Sequence, residues 1–230
     1  GGNALANLAG LGVKAQLIAL IGDDDAGKIL AARLQALGAD AKNLIVDAQR
    51  PTTVKTRYLA GLQQMLRSDF EKTGPVSDDQ AKDILRRVEK LIAGVGAVLL
   101  SDYGKGVLRP DIISGVMALT HKNKIPVLVD PKGTDYSRYK GADLITPNRK
   151  EIEQATRGMA ADSDDGIVSA AQNLIKAHDI KAVLATRANE GLSLVRAAHP
   201  PLHVRGRDVE VYDVSGAGDA VIATASCVLA

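Results

Sequence analysis

The sequence predicts an α/β fold in which a mainly parallel sheet is covered by helices. Two observations predict it. Short apolar runs at residues 97–100, 127–129, 143–145 and 182–185 alternate with stretches of helical period, the pattern of strand–helix repeats. Each run also ends in polar residues: Ser101-Asp102, Asp130-Pro131, Thr146-Pro147-Asn148 and Thr186-Arg187. In open parallel sheets ligands lie beyond the carboxyl ends of the strands, so these polar ends are site candidates as a group. In chain order, residues 3–11 read as a helix stopped by Gly12, and residues 15–21 as a buried strand ending in Gly22. Asp25 is the expected cap of a helix running to Leu37, with Gly38 at its C-terminal end, where glycine takes a left-handed conformation at least cost. Ser77 and Gln80 have capping-box spacing, and Ala81, Ile84, Leu85, Val88, Leu91 and Ile92 then share one helical face. Residues 52–60 and 63–70 break the alternation. They are β-rich runs around Gly61-Leu62 with mixed polarity on both faces, expected as a hairpin outside the main sheet. It is either an ordinary edge hairpin or a flap that closes over substrate or pairs with a second copy.

Composition narrows the class. With 230 residues, the chain can bury a substantial core as one large domain or as one with a small appendage. The single cysteine, Cys227, excludes an intrachain disulfide scaffold and favours a reducing compartment. Twenty-nine basic against 27 acidic residues leave a net charge of +2 with interspersed signs. That argues against a nucleic-acid partner held by phosphate neutralisation. No Trp, one Phe and five Tyr leave little material for stacking on bases. No apolar run reaches the ~18 residues that span a bilayer, and no signal-peptide pattern opens the chain. A cytoplasmic location without a membrane partner is the expectation.

The sharpest local signal is Asp213-Val214-Ser215-Gly216-Ala217-Gly218-Asp219, between an expected strand at 209–212 and an apolar helical stretch. Small residues at a helix N-terminus let backbone N–H groups approach an anion, where the helix dipole adds positive charge. Asp219, in the first turn, would lie beside that anion and could take a proton from an attacking hydroxyl. The alternative is a tight turn at Gly216 and Gly218 with a dipole-favoured carboxylate. The string lacks the Lys-Ser/Thr of a P-loop and the third glycine of a dinucleotide fingerprint. Asn148-Arg149-Lys150-Glu151 has capping-box spacing; the functional alternative is that Asn148 and Glu151 hold a hydrated Mg²⁺ on ATP phosphates. Asp102-Tyr103-Gly104-Lys105-Gly106 and Asp130-Pro131-Lys132-Gly133 follow strands. A carboxylate there suits sugar hydroxyls and a lysine suits a phosphate, unless both are surface residues of glycine turns. His121, His178, His199 and His203 show no metal-ligand spacing.

A strand-end Asn-x-x-Glu followed by a late Gly-Ala-Gly-Asp resembles the ribokinase-like carbohydrate kinase family over essentially the whole chain. Longer strings resemble its D-glycero-β-D-manno-heptose 7-phosphate kinase branch: Gln63-Gln64-Met65-Leu66-Arg67-Ser68-Asp69-Phe70-Glu71, Leu100-Ser101-Asp102-Tyr103-Gly104-Lys105-Gly106, the run from Asp130 to Asp135 with Thr146-Pro147-Asn148, and residues 211–219. The resemblance implies a three-layer sandwich with a small β lid at about residues 50–72. It also implies ATP-dependent phosphorylation of the C1 hydroxyl of heptose 7-phosphate, for ADP-heptose and lipopolysaccharide core synthesis. A related kinase of ribose, fructose phosphate or 2-keto-3-deoxygluconate, or a non-catalytic sugar-nucleotide sensor, is the alternative.

Residue by residue, the resemblance makes Asp219 the catalytic base and Gly216, Ala217 and Gly218 the anion hole. Asn148 and Glu151 organise Mg²⁺ and ATP, with Arg149 and Lys150 on the same loop, and Thr186, Arg187 and Gly191 lie near the nucleotide. Asn3 matches the asparagine of a glycine-rich sugar segment represented here by Gly1 and Gly2; Lys105, Asp130 and Lys132 are sugar-phosphate candidates. The lid is expected to be shared across a homodimer. The family's first strand would precede Gly1 and its adenine-enclosing helices would follow Ala230, so residues 1–230 by themselves are expected to be poorly active.

Overall fold

A computed structural model describes residues 1–61, 63–207 and 216–230. The central sheet has six strands: β5 (Val98–Ser101), β6 (Val127–Asp130), β7 (Leu144–Ile145), β8 (Ala182–Thr186), β9 (Leu192–Arg196) and β10 (Leu202–Val204). Their spatial order is β10-β9-β8-β7-β6-β5. Strands β5 to β8 pair in parallel, as expected, whereas β9 and β10 add an antiparallel edge.

Alternation along each strand builds the layers. Val127, Val129, Ile145 and Val183 pack with Ile112, Ile113 and Val116 of α4 (Pro110–Asn123) and with Ile167, Ala170 and Leu174 of α6 (Asp164–His178). Leu128, Leu144 and Ala182 turn to the other face and meet Ile222 of α7 (Ala217–Leu229). Successive strand residues point to opposite faces, so apolar runs without polar interruption are what a sheet covered on both sides requires. α5 (Arg149–Ala155) adds the fully buried Ile152 to the first layer. A smaller core joins Leu5 of α1 (Gly2–Gly10), Ile21 of β1 (Ala19–Gly22), Leu34 of α2 (Asp25–Ala36) and Leu44 of β2 (Leu44–Asp47).

Two local expectations are corrected. The strand expected at 15–21 pairs only over Ala19–Gly22, because its partner β2 supplies four residues. The cap of α2 is Asp24 rather than Asp25: Asp24 has extended backbone, and its Oδ1 accepts the Gly27 amide at 2.7 Å. Its other oxygen accepts the Thr52 amide at 2.8 Å, a partner 28 residues away. The Ser77–Gln80 capping box is present at the start of α3 (Asp78–Leu91).

β3 (Val54–Ala60) and β4 (Gln63–Phe70) form an antiparallel pair outside the main sheet, exposed at every position. Leu62 of the expected turn lies outside the described residues, as do the strand expected at 209–212 and Asp213, Val214 and Ser215. No helix among the described residues is long and apolar enough to cross a membrane.

Candidate active site

Register brings the polar strand ends together. Ser101 stands opposite Asp130 at the ends of β5 and β6, and Asn148 bridges Thr186 beside β7 and β8. Asp219 is the third residue of α7, which packs over the same sheet. Gly216 caps that helix at φ +87°, a left-handed conformation glycine adopts freely. Among the described residues no side chain caps the first turn, and a Cβ built on Gly218 would meet nothing within 4 Å. Among the described residues the first-turn amides of this helix thus meet no side-chain acceptor, and a helix N-terminus of this kind can receive an anion. The Asn3 amide of α1 lies 3.7 Å from where a Gly216 Cβ would stand.

Asp130 faces this helix end. Burial, with the nearby charges of Glu151 and Asp219, pushes its carboxyl up to about 7. The three carboxylates thus share one electrostatic neighbourhood. Tyr103 joins them: its hydroxyl lies 3.4 Å from Asp219 Oδ1, and burial raises its pKa. Tyr103 carries no signal in the sequence beyond membership of the 102–106 string, since a phenol beside a carboxylate 116 residues away is a tertiary fact.

Asn148 and Glu151 form the capping box of α5: Asn148 Oδ1 accepts the Glu151 amide at 2.9 Å, and Glu151 Oε2 accepts the Asn148 amide at 3.0 Å. Glu151 Oε1 accepts from Lys132 Nζ at 2.8 Å, which draws the turn after β6 toward α5. Asn148 and Lys150 remain exposed. Among the described residues no cluster of three or more His, Cys, Asp or Glu could hold a metal ion as a protein cage.

The other candidates are held by protein partners or packing of their own. Lys105 pairs with Glu71, just past β4, and holds that carboxyl below its ordinary range, so it ties the turn after β5 to the β3–β4 hairpin. Arg149 pairs with Glu190 Oε1 at 2.5 Å. Arg187 is 3% exposed, and its Nη atoms donate to Asp164, to Glu190 Oε2 at 2.7 Å and to Ser193 Oγ at 3.2 Å. Gly191, at φ +97°, lies against strand β10, where an added Cβ would stand 2.0 Å from the Val204 carbonyl. The structure thus gathers Asn3, Asp130, Lys132, Asn148, Glu151 and residues 216–219 around one sheet end. It sets Lys105 against the base of the β3–β4 hairpin and Arg187 beneath the strand-end surface.

The model of the pfkB family carbohydrate kinases matches residues 1–229. The chain belongs to that family. Among curated relatives of this PfkB kinase, the bifunctional protein HldE of Paramagnetospirillum magneticum is 42% identical over 229 residues, covering 100% of this chain and 47% of the relative. HldE of Mesorhizobium japonicum is 44% identical, covering 100% and 46%. The chain spans about half the length of the curated relatives it matches. A structure of Arabidopsis thaliana ribokinase complexed with ribose and ATP superposes with a TM-score of 0.78 at 23% identity, covering 100% of this chain and 73% of that one. The tetrameric inhibited form of Escherichia coli phosphofructokinase-2 gives 0.79 at 19% identity, covering 99% and 74%. The fold is therefore the expected ribokinase-like α/β sandwich.

Proposed function

We propose that this PfkB kinase transfers the γ-phosphoryl group of ATP to the C1 hydroxyl of D-glycero-β-D-manno-heptose 7-phosphate, yielding the 1,7-bisphosphate used in ADP-heptose and lipopolysaccharide core synthesis. The observation that carries it is the Asp219 carboxylate in the first turn of a glycine-opened helix, without a side-chain cap among the described residues, beside Asp130 and Tyr103. The choice of sugar rests on the branch-specific strings and on 42–44% identity to HldE proteins over the whole chain.

In this reading the C1 oxygen attacks the γ-phosphorus as its proton passes to Asp219. The new P–O bond forms while the β,γ-bridging bond breaks, and the electron pair leaves with ADP. The amides of Ala217 and Gly218, with Gly216 shaping the turn, stabilise the charge spread over the transferring oxygens. Asn3 and Asp130 accept sugar hydroxyls, and Lys132 and Lys105 supply point charges for the 7-phosphate. Asn148, Arg149, Lys150, Thr186 and Gly191 line the nucleotide side, which Arg187 supports from beneath. Mg²⁺ bound with ATP neutralises phosphate charge. Asn148 and Glu151 fit it through water: Glu151 already accepts from Lys132 and Asn148, and Mg²⁺ keeps several waters in preference to a full protein cage.

Coupled ADP-release assays on the full-length protein test the substrate. Heptose 7-phosphate is expected to exceed ribose, fructose 6-phosphate and 2-keto-3-deoxygluconate in kcat/KM by at least ~10²-fold: ribose and 2-keto-3-deoxygluconate leave a site built for a phosphate end unpaired, and fructose 6-phosphate carries its phosphate on a chain one carbon shorter. Equal turnover of any of the three overturns the assignment.

We also infer a homodimer formed through the lid. Tyr58, Leu59, Met65, Leu66 and Phe70 are each more than half exposed on a two-stranded sheet, and such an isolated pair is marginal in water without a covering surface. Light scattering is expected to give a dimer for the native protein and a monomer for Leu66→Glu; a monomeric native protein rejects the inference.

A further inference from the structure

We propose that the Tyr139 hydroxyl is a positioning group that locks together the two turns facing the sugar, residues 102–106 after β5 and residues 131–133 after β6; this rests on the sugar-kinase reading above. Tyr139 closes a short 3-10 turn and is fully buried. Its oxygen lies 2.6 Å from Asp102 Oδ2 and 3.1 Å from the Lys132 amide nitrogen. A phenol has one hydrogen, and a carboxylate can only accept. Tyr139 therefore donates to Asp102 and accepts from the Lys132 amide. The Lys132 carbonyl at 3.2 Å is left as a contact without a proton of its own. Asp102, 5% exposed, uses its other oxygen to accept the Gly104 amide at 2.8 Å. One unbroken chain thus runs from the Lys132 amide through Tyr139 and Asp102 to the Gly104 amide. Burial and the adjoining Asp102 raise the phenol pKa, so the hydroxyl keeps its proton. Arg138, from the same 3-10 turn, stands 3.5 Å from Asp102 Oδ2 and closes the charge.

The link falls where the sheet stops. The last backbone bond between the two strand ends is Asp102 N–H to the Asp130 carbonyl, at 3.0 Å. Beyond it, among the described residues, no backbone hydrogen bond joins 103–106 to 131–133. Yet these turns carry Tyr103 and Lys105 on one side and Lys132, next to Asp130, on the other. A buried network of this kind is costly unless every member is satisfied, and here it fixes the spacing of groups that must act on one sugar. A displacement of about 1 Å between such groups is enough to cost ~10²-fold in rate.

Tyr139→Phe in the full-length protein keeps the ring and removes the oxygen. The KM for heptose 7-phosphate is expected to rise ~10-fold while that for ATP stays within ~2-fold, because only sugar-side groups lose their register. Hydrogen–deuterium exchange at the Gly104 and Lys132 amides is expected to accelerate together, with the first turn of α7 unaffected. Asp102→Asn should give the same pattern, and the double variant should be no worse than the worse single one, since both break one link. Unchanged exchange at Gly104 in Tyr139→Phe, or equal shifts in both KM values, overturns the proposal. If the native protein releases no ADP with any sugar, the kinase reading fails on its own, while the exchange data still decide whether the turns are coupled.

Discussion

Asp219→Asn is expected to lower kcat by ~10³-fold, within the range of 10²–10⁴ that a positioned general base supplies, with ATP binding measured by calorimetry nearly unchanged. Asparagine keeps the size and the first-turn position but cannot accept the proton of the sugar hydroxyl. Retention of native kcat would remove Asp219 from the chemistry. Gly218→Ala is the companion measurement at the same helix end. The added Cβ meets no protein atom within 4 Å among the described residues, so stability in thermal unfolding should be unchanged or raised by no more than ~1 kcal/mol, as for glycine replaced in a helix. The methyl would occupy the space over the amides, and kcat/KM should fall by at least ~10²-fold through loss of anion contacts. A stable and fully active Gly218→Ala variant would place the phosphoryl group elsewhere.

Arg187→Met is expected to act on stability instead. Its side chain is 2% exposed and is held by Asp164 and Glu190, whose own side chains are 34% and 38% exposed. Removing the guanidinium leaves two partly buried carboxylates short of a partner, although Arg205 at 2.6 Å still serves Asp164 and Arg149 still serves Glu190. The melting temperature should drop by ~5 °C or more at neutral pH. The sign with pH follows from the carboxyls. Arg187 lowers the pKa of Asp164, and Arg149 with Arg187 lowers that of Glu190. The stabilisation is present above the ordinary carboxylate range and is lost as pH falls through the depressed values. The gap between native and variant melting temperatures should therefore narrow in acid. An unchanged melting temperature with a raised KM for ATP would instead make Arg187 a direct nucleotide ligand.

What was legible in the sequence is what depends on neighbours in the chain. The capping boxes at Ser77–Gln80 and Asn148–Glu151 use donors and acceptors three residues apart, so their geometry follows from spacing. The four parallel strands were readable because burial on both faces demands uninterrupted apolar runs. Asp24 and Asp25 illustrate the opposite case. Both are competent caps, and the choice is made by the Thr52 amide arriving from another part of the fold. The edge strands β9 and β10 were not read. Leu192–Arg196 alternates in burial and Leu202–Val204 is short and mostly exposed, so neither has the apolar run that marked the inner strands.

The sequence by itself determined an α/β kinase fold, the glycine-opened helix carrying Asp219, and the Asn-x-x-Glu turn, since each is a property of contiguous residues. Only the tertiary structure decided that Tyr103 touches Asp219, that Arg187 is an interior strut bound to Asp164, and that Tyr139 joins two turns through Asp102. Those contacts link residues 23 to 116 positions apart. Their cause is the packing of helices on a sheet whose strand order brings distant ends side by side, and no local pattern encodes which distant side chain will fill a given hydrogen bond.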